Sequence, residues 1–366
     1  MFWMIVILVL AVLALISVIY LVTRFHRFRC LQNLSKNHKI LSWLLACVPV
    51  AGVACFYFIN LFTMFVVMIH LMVIWVICDL TAAVIRKAAH RERTRNYEGG
   101  AAILLTAAVL GAGWFFAHHV YVTRYQFTTQ KDLGGAPLRI VEIADSHLGI
   151  TLKGDSFARE MQKVQAENPD IVVLCGDFVD DDSTKADMLE AAKALGSLQT
   201  TYGVYFIYGN HDNGYYHYRD FDSQELYDAL TANGITVLTD ESVLVADRFY
   251  IVGREDKSNP ARAEIGSLTA KLDDAKYQIV LDHQPNDYAA EAAAGADLVL
   301  SGHTHGGHIF PAGYIGLALG ANDRVYGTER RGETDFLVTS GISGWAIPFK
   351  TGTISEICVI DVTTSQ

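Results

Sequence analysis

Acidic side chains are nearly missing from the first part of this 366-residue chain. Residues 1–130 contain 3 Asp or Glu and 11 Lys or Arg, whereas residues 131–366 contain 36 acidic and 18 basic side chains. A soluble domain normally carries charges of both signs over its surface. The composition therefore argues against two ordinary soluble domains and divides the chain into an apolar, basic part and a soluble, acidic part.

Cysteine is too scarce to build a disulfide framework. Four of the six cysteines lie in the apolar first part, and only Cys175 and Cys358 lie in the second. Both belong to apolar, strand-like runs, where a buried thiol packs as a small hydrophobic side chain. Cysteine usage therefore gives no information about the cellular compartment.

In place of charge, the first part has a series of long apolar runs. Each is long enough to cross a bilayer, which needs about 20 helical residues, and each is apolar on all sides, unlike the helices of soluble proteins. A tight turn is expected near Asn60, because the second and third runs as one helix would be about twice the hydrocarbon thickness. We therefore predict a four-helix transmembrane region within residues 1–120. The runs are Phe2–Val22, Ile40–Ile59, Leu61–Ile85 and Gly99–Ala117.

Basic residues between these runs predict the orientation in the membrane. They lie between the first and second runs and between the third and fourth, so the positive-inside rule makes both loops cytoplasmic. We predict a multi-pass protein of the cytoplasmic (plasma) membrane with its C-terminal domain on the extracytoplasmic side. The basic residues are Arg24, Arg27, Arg29, Lys36 and Lys39 in the first loop and Arg86, Lys87, Arg91, Arg93 and Arg95 in the second.

Two ionisable residues, His70 and Asp79, fall inside the predicted spans. Such residues are functional candidates by default, but Asp79 lies near the cytoplasmic end of its span. We expect both to serve helix packing and snorkelling. A transporter with an attached domain is disfavoured because so few polar groups lie within the spans.

Short β-branched runs alternate with amphipathic or Ala-rich helical patterns from about residue 138 onward. This alternation predicts a layered α/β fold, with residues 121–137 as a linker and residues 138–366 as one domain. Ligands of such folds gather at the carboxyl ends of the strands. The predicted strands are Arg139–Ala144, Ile171–Cys175, Val204–Tyr208, Tyr250–Val252, Tyr277–Leu281 and Leu298–Leu300, and the predicted helices are Ser156–Glu167, Lys185–Leu198, Gln224–Ala232 and Asp287–Ala294.

Five polar blocks follow these strands. Each alone is a weak signal, since Asp-x-His occurs often by chance. Together they place carboxylates, an amide and four imidazoles at strand ends that face one crevice. Mixed oxygen and imidazole ligands are typical of Mn²⁺, Fe²⁺ or Zn²⁺ sites. The blocks are Asp145-Ser-His147, Gly176-Asp177-Phe-Val-Asp180, Gly209-Asn210-His211-Asp212, His283 in Leu-Asp-His-Gln-Pro, and Gly302-His303-Thr-His305-Gly-Gly.

The five blocks, in this order, resemble the calcineurin-like metallophosphoesterase superfamily over roughly residues 138–362. The resemblance implies a four-layer α-β-β-α sandwich, in which two sheets pack between helices. It also implies two divalent metal ions (Mn, Fe or Zn) at the sheet ends. By this resemblance Asp145, His147 and His305 would bind the first metal, Asn210, His283 and His303 the second, and Asp177 would bridge them.

The resemblance further implies hydrolysis of a phosphate ester by a hydroxide that bridges the two metals. A close metal pair lowers the pKa of bound water and clamps the phosphoryl oxygens. His211 matches the residue that protonates the leaving oxygen or stabilises the transition state, and Asp212 is expected to hold its ring, as carboxylates commonly do. Asp180 is either a further orienting carboxylate or a loop cap.

The segments Gly302–Pro311 and Ser340–Gly344 resemble the membrane-associated bacterial branch of this superfamily, which is similar to UDP-diacylglucosamine hydrolases. The chain departs from that branch in two ways. His308 stands where Gln is expected, and four spans replace a single anchor. We count His308 as a candidate substrate contact.

Three further residues are candidate substrate contacts, and for the first of them surface packing is an equal alternative. Arg219, at the end of Tyr215–Arg219, would contact a phosphate. Trp345 and Phe349, on a Gly-rich loop, would meet an acyl chain or a base. Extended DNA or RNA is not an expected partner, because the acidic second part repels polyanions.

The leading functional hypothesis is a phosphodiesterase or pyrophosphatase acting at the membrane, with a lipid- or envelope-linked phosphate among the expected substrates. One alternative is a phosphomonoesterase with a small soluble substrate, since the metal centre is the same. Another is a membrane receptor or scaffold that binds metal and phosphate without turnover. His211 argues against the receptor, because a pure binder needs no leaving-group acid.

Overall fold

The computed structural model describes residues 2–92, 95–134, 136–214 and 218–365, and of residues 2–7 only the backbone. The chain divides into two compact units, Met1–Ala112 and Gly113–Gln366. The α-helices are α1 (Phe2–Phe25), α2 (Arg29–Ser35), α3 (Lys39–Ala54), α4 (Leu61–Ala88), α5 (Tyr97–His118), α6 (Gly154–Ala166), α7 (Lys185–Gly196), α8 (Ser223–Ala232), α9 (Ile265–Thr269), α10 (Tyr288–Ala293) and α11 (Ala312–Ala318).

Four helices of the described chain are long and apolar enough to cross a membrane, as predicted. The break between the second and third is also confirmed: a short 3-10 turn ends at Phe58, and the Asn60 side chain caps α4 by accepting a 2.8 Å hydrogen bond from the Thr63 N–H. The side of the membrane that each loop faces stays a prediction. The four candidate spans are Leu8–Phe25, Lys39–Phe58, Leu61–Ala88 and Tyr97–His118.

Asp79 lies in an ion-pair cluster that joins α4 to the end of α1. Its Oδ2 is 2.6 Å from Arg24 Nε and 3.3 Å from Arg27 Nη1, and it accepts a 3.0 Å hydrogen bond from the Tyr20 hydroxyl. A carboxylate inside a span is costly unless it is paired. The contacts agree with the helix-packing role expected for Asp79.

The second unit contains two six-stranded sheets. In the first sheet the order is β1-β12-β2-β3-β4-β5, and in the second it is β10-β11-β9-β8-β7-β6. The central strands of each sheet run parallel, so their carboxyl ends meet at one edge. The strands are β1 (Val120–Thr129), β2 (Leu138–Ile143), β3 (Ile171–Cys175), β4 (Val204–Ile207), β5 (Thr236–Val237), β6 (Glu241–Val245), β7 (Phe249–Gly253), β8 (Tyr277–Leu281), β9 (Leu298–Ser301), β10 (Gly327–Arg331), β11 (Thr334–Val338) and β12 (Ser355–Thr364).

Three apolar cores hold these layers together. One core packs α6, α7 and α8 on the outer face of the first sheet, a second fills the space between the two sheets, and a third packs α9 and α10 on the outer face of the second sheet. Strands β3 and β8 are buried on both faces, which explains their unbroken apolar sequences. The predicted four-layer α-β-β-α sandwich is confirmed.

Part of the predicted linker, residues 121–137, is a strand. Residues Val120–Thr129 form β1, which pairs in parallel with β12 along its whole length. Its β-branched and aromatic residues favour a strand, and pairing with β12 supplies the hydrogen bonds that an isolated segment would lack. The division of the chain into the three predicted segments stays a prediction.

Candidate metal centre

Five parallel strands end in the five polar blocks. Strands β2, β3 and β4 of the first sheet lead to Asp145, Asp177 and His211, while β8 and β9 of the second sheet lead to His283 and His303. The sandwich packs the two sheets face to face, so the blocks meet at one edge. This edge brings predicted ligands together in two groups, and within each group the ligand atoms all lie within 4.8 Å of one another. The first group is Asp145, His147 and His305, and the second is Asp177, His283 and His303.

The backbone of this edge is strained. Asp145, His147, Asp177, His303 and His305 all have positive φ, between 38° and 69°. A side chain in this region costs of order 1–3 kcal/mol, and such residues cluster at active sites and ligand clamps. The clustering of five such residues at one edge agrees with a ligand-binding role for it.

Glycine is required at the end of β3, where the chain passes close to Gly209 and His283. Gly176 has φ of 80°, and a Cβ there would lie 2.6 Å from the backbone nitrogen of Gly209 and 2.7 Å from His283 Nδ1. Any side chain would push the Asp177 loop away from His283. The glycine thus lets the two sheets contribute ligands to a shared centre.

His147 and His305 face each other through their ring nitrogens. His147 Nδ1 lies 3.1 Å from Asp180 Oδ2, and His305 Nδ1 lies 3.2 Å from the Ser343 carbonyl oxygen. Both partners are acceptors, so each Nδ1 can donate to its partner, and in a neutral ring the Nε2 then presents a lone pair. The two Nε2 atoms are nevertheless 3.1 Å apart. Asp145 Oδ1 lies 3.6 Å from His305 Nε2.

A cation resolves this arrangement of lone pairs. Two imidazole nitrogens that each lie about 2.0–2.1 Å from one divalent ion are about 3–3.4 Å apart. The observed separation of 3.1 Å fits that geometry. The donor set of one carboxylate and two imidazoles therefore suits a divalent metal ion.

The second group has the same character. His283 Nδ1 donates a 2.7 Å hydrogen bond to the Cys175 carbonyl, and His283 Nε2 lies 3.1 Å from Asp177 Oδ2 without a hydrogen bond of acceptable geometry. The ring of His303 is 5.2 Å from that of His283 between centroids. A fully buried ring nitrogen without a hydrogen bond, beside a buried carboxylate, fits a metal ligand.

Asn210 lies at the same edge, between two anchored neighbours. Gly209 N–H donates to Asp212 Oδ2 at 2.7 Å, and His211 N–H donates to Asp177 Oδ1 at 2.8 Å. These bonds fix the backbone of Asn210 next to the bridging candidate Asp177. Its assignment to the second metal stays a prediction.

Burial and the mutual charges of these groups shift their pKa values. Burial lowers the pKa of His303 to about 4 and also lowers the pKa of His305. Burial, with the negative charge of Asp177, raises the pKa of Asp145 to about 6. Burial opposes charge on His283, but the carboxylate of Asp177 outweighs it and raises the pKa of this ring well above the usual value. Two of the four histidines are thus held neutral, the form in which imidazole binds metal.

Asp180 holds two rings at once. Its Oδ1 lies 2.9 Å from His211 Nδ1, and its Oδ2 lies 3.1 Å from His147 Nδ1. Burial opposes ionisation of Asp180, but its hydrogen bonds with the two rings lower its pKa well below the usual value. Of the two interpretations of Asp180, the orienting carboxylate is therefore the one that the contacts support, although Oδ1 also accepts a hydrogen bond from the Asp181 N–H.

The expectation that Asp212 holds the His211 ring is wrong. The Asp212 carboxylate accepts hydrogen bonds from the backbone N–H groups of Asp177, Phe178, Val179 and Gly209. Burial and the charge of Asp177 raise its pKa to about 6. Asp212 thus fixes the loop that carries Asp177, and the carboxylate at the His211 ring is Asp180.

Replacing Asp180 with Asn should loosen both rings. Partners that orient metal-binding histidines typically contribute about 10–100-fold in metal affinity or activity, and we expect a loss in this range for Asp180→Asn. The measurement is metal affinity, by titration of the chelated full chain, together with turnover. Asp228→Asn, an exposed carboxylate on α8 that contacts Gln224, is the matched control. Equal metal affinity and turnover in the two variants would exclude the orienting role.

The predicted substrate contacts have different surroundings. The His308 ring stacks near that of His305, with centroids 5.3 Å apart, and its buried Nε2 has no hydrogen bond. Arg219 donates to the Asp212 carbonyl at 2.9 Å and lies over the ring of Phe221. Arg219 therefore has a loop-stabilising contact, and its phosphate-binding role stays a prediction. Within Tyr215–Arg219, residues 215–217 lie outside the described residues.

The two aromatic candidates, Trp345 and Phe349, also have different surroundings. Trp345 lies beside the centre, with its ring 5.5 Å from that of His211. Phe349 is buried. Contact of Trp345 with a substrate stays a prediction.

Lys350 is a part of the site that sequence reasoning missed. Its ammonium is fully buried and donates to the carbonyl oxygens of Ser340, Gly341 and Ile354 at 2.6, 3.1 and 3.2 Å. Burial lowers its pKa to about 7. The loop that it holds also carries Ser343, whose carbonyl orients His305. A lysine after an aromatic residue on a loop gives no sequence signal of burial.

Lys350→Met should destabilise the second unit by about 2–4 kcal/mol, because three carbonyl groups, two of them buried, lose their donor. The measurement is the thermal unfolding midpoint of the full chain in detergent. Lys193→Met, at an exposed position on α7, is the matched control and should leave the midpoint within a degree or so of the wild type. Identical midpoints for the two variants would show that the ammonium does not hold the loop.

Comparison with known proteins agrees with these observations. A family profile described as calcineurin-like phosphoesterase matches residues 138–307. An uncharacterized metallophosphoesterase of Aquifex aeolicus is 33% identical over 62% of this chain and 84% of its own length. An uncharacterized metallophosphoesterase of Campylobacter jejuni is 31% identical over 62% of this chain and 59% of its own length. A transmembrane protein with a metallophosphoesterase domain from Danio rerio is 30% identical over 60% of this chain. The match covers 52% of the Danio rerio protein, so this chain spans about half of that relative's length.

Proposed function

Because the chain belongs to the calcineurin-like metallophosphoesterase family, whose members are dimetal-dependent hydrolases of phosphoric esters, we propose that it is a membrane-bound phosphodiesterase or pyrophosphatase. The observation that carries the proposal is the pair of ligand groups that meet at Asp177 and His147. In each group the ring nitrogens and the carboxylate oxygens converge to within 4.8 Å of one another, as the ligands of one metal ion must.

The residues that would hold the metals are those of the two groups. Asp145, His147 and His305 would hold one ion, and Asn210, His283 and His303 the other, with Asp177 between them. Two divalent ions, when bound, supply an activated water and neutralise charge on the phosphoryl oxygens. The four imidazoles and the strained loops keep the ligand atoms close together, so little reorganisation is needed when the ions bind.

His211 is proposed as the group that protonates the leaving oxygen. Asp180 accepts the hydrogen bond from its Nδ1, so the proton would pass through Nε2. Burial opposes a charge on His211, but the hydrogen bond with Asp180 and the charge of Asp177 outweigh it and raise its pKa to about 9. The carboxylate thus holds both the orientation and the protonated form of the ring.

A diester or a pyrophosphate is favoured over a small monoester. The Trp345 ring beside His211 offers an apolar surface to a second substituent on the phosphorus or to the leaving group. Near His305, the buried Nε2 of His308 offers a polar contact to the same substrate.

Hydrolysis by the purified full chain in detergent tests the proposal. The protein is chelated, then assayed with bis(4-nitrophenyl) phosphate and with 4-nitrophenyl phosphate, in the presence of Mn²⁺ or Zn²⁺ or of neither. We expect turnover of the diester that requires added metal and exceeds turnover of the monoester. A chain that binds metal and hydrolyses neither compound would favour the non-catalytic receptor, and faster monoester turnover would favour the phosphomonoesterase.

We also propose that the second unit faces the extracytoplasmic side of the plasma membrane, where a lipid- or envelope-linked phosphate is within its reach. The basic loops between the spans support this orientation. Protease added to intact spheroplasts should then degrade residues 131–366. Protection of this segment until the membrane is permeabilised would place the domain inside.

A further inference from the structure

An uncharged, exposed segment follows the last polar block. Residues 309–321 contain no charged side chain, and they include helix α11, none of whose residues is buried. Phe310 is 60% exposed, Tyr314 61% and Leu319 76%, and Ile315 and Leu317 are exposed as well. A helix on the surface of a soluble domain normally turns a charged or polar face to water. The segment therefore has the composition of a surface that meets an apolar partner.

This segment is tied to the last turns of α5. The backbone N–H of Lys350 donates to the Gly113 carbonyl at 2.9 Å, and the next residue, Thr351, accepts a 3.1 Å hydrogen bond from the Phe310 N–H through its hydroxyl. Two consecutive residues thus connect the end of a candidate membrane span with the start of the apolar segment. Residues 113–118 and the segment belong to the same compact unit.

The end of α5 has the marks of a membrane–water interface. Trp114 and Phe115 are both about half exposed, and His118 ends the helix. Aromatic rings concentrate at the level of the lipid headgroups, where one end of the ring is apolar and the other is hydrated. Strand β1 begins at Val120, so only His119 separates the span from the sheet. A tether this short keeps the neighbouring surface of the unit at the headgroups.

The same segment adjoins the metal centre. His308 precedes Phe310 by two residues, and its carbonyl accepts hydrogen bonds from the Thr351 and Gly352 N–H groups, both at 2.9 Å. The ring of His308 stacks near that of His305. One short stretch of chain therefore joins the span, the apolar segment and a metal-ligand candidate.

We propose that Phe310 and helix α11 insert their apolar side chains into the headgroup region of the bilayer beside the end of α5. The partner of this segment is the lipid bilayer, because a candidate membrane span ends next to the segment. The single residue between α5 and β1 is too short to let the segment move far from the headgroups. Insertion fixes the second unit on the membrane surface and sets the mouth of the metal centre, at His308, next to the lipid headgroups.

Photo-crosslinking to lipid tests this contact. The full chain is reconstituted in nanodiscs of unsaturated phospholipid, with p-benzoylphenylalanine in place of Tyr314, and lipid adducts are measured by mass spectrometry after illumination. The same amino acid in place of Trp114 is the positive control. The same amino acid in place of the exposed Tyr227 on α8 is the matched negative control. Position 314 is exposed, so its replacement leaves the packing intact, and the readout requires no turnover.

We expect a lipid adduct at position 314 comparable with that at position 114, and at least a several-fold smaller amount at position 227. Reaction at position 114 with none at 314 would overturn the proposal. A protein–protein crosslink at 314 would identify a second copy of the chain as the occupant instead, and equal adducts at 314 and 227 would show unspecific labelling. Because adduct formation is independent of hydrolysis, failure of the proposed activity does not affect this result.

Discussion

Asp177→Asn is expected to lower turnover by about 10³-fold or more and to remove at least one metal ion. Asp177 is the carboxylate between the two ligand groups, 3.1 Å from His283 Nε2 and 3.6 Å from His147 Nε2. The amide keeps the size of the side chain but loses the negative charge that two cations would share. Metal ions contribute several kcal/mol to such reactions, and about 4 kcal/mol corresponds to 10³-fold in rate.

Metal content and turnover must be measured together for this variant. The metal-to-protein ratio is determined by elemental analysis after gel filtration, and turnover is measured at saturating added metal. Asp228→Asn, on the exposed face of α8, controls for loss of a carboxylate. Full metal content with unchanged turnover in Asp177→Asn would remove Asp177 from the centre. The backbone N–H groups of residues 177–179 bind Asp212, so the loop itself should stay folded.

His211→Gln should slow hydrolysis by about 10²–10⁴-fold for esters with an alkoxide leaving group, the range of general acid catalysis. A nitrophenolate departs without a proton, so the same substitution should cost much less with a nitrophenyl ester. The ratio of the two rates therefore reports proton transfer, which a purely structural role of His211 would not change. Glutamine retains a donor for Asp180 and so limits disturbance of the Asp180–His147 contact.

The assay compares kcat for an aryl and an alkyl phosphodiester in the wild type, in His211→Gln and in His38→Gln. His38 is exposed at the start of α3 in the first unit and serves as the matched control. A steeper dependence of kcat on the leaving group in His211→Gln alone is the expected result. A uniform decrease for both esters would assign His211 to binding or to transition-state charge instead of to protonation.

The central strands and the ligand candidates could be predicted because their signals are local. A strand buried on both faces, such as Ile171–Cys175, is a continuous apolar run in the sequence, and the polar block that follows it marks its carboxyl end. Six predicted strands and four predicted helices agree with the structure to within about two residues at each end. The alternation of the two element types then indicates the layers.

The edge strands could not be predicted in the same way. Strand β1 lies within the predicted linker, because its partner β12 is more than two hundred residues away and no local sequence pattern indicates the pairing. Its alternating β-branched and aromatic residues were the available signal. Edge strands such as β10 are partly exposed and charged, which makes them resemble loops in sequence.

Asp180 makes the contact with the His211 ring that was predicted for Asp212, and the cause is geometric. Side chains of neighbouring residues diverge from the backbone, so Asp212 turns away from His211 and toward the N–H groups of the Asp177 loop. Asp180 is 31 residues away in sequence but lies opposite the ring. Adjacency in sequence was therefore a poor guide to contact, and only the packing of the two loops reveals the partner. The burial of Lys350 is of the same kind, because it depends on how the late loops fold over one another.

The position of β12 between β1 and β2 sets an order of events during synthesis. The strand nearest the membrane cannot pair until residues 355–364 have left the ribosome, and closing so long a loop is slow. A nascent chain whose four spans are already inserted should thus carry an unfinished second unit, with β1 and the adjoining edge of β2 open to other strands. Chains interrupted before residue 355 should for that reason be degraded or aggregate, even though every metal-ligand candidate has already been made.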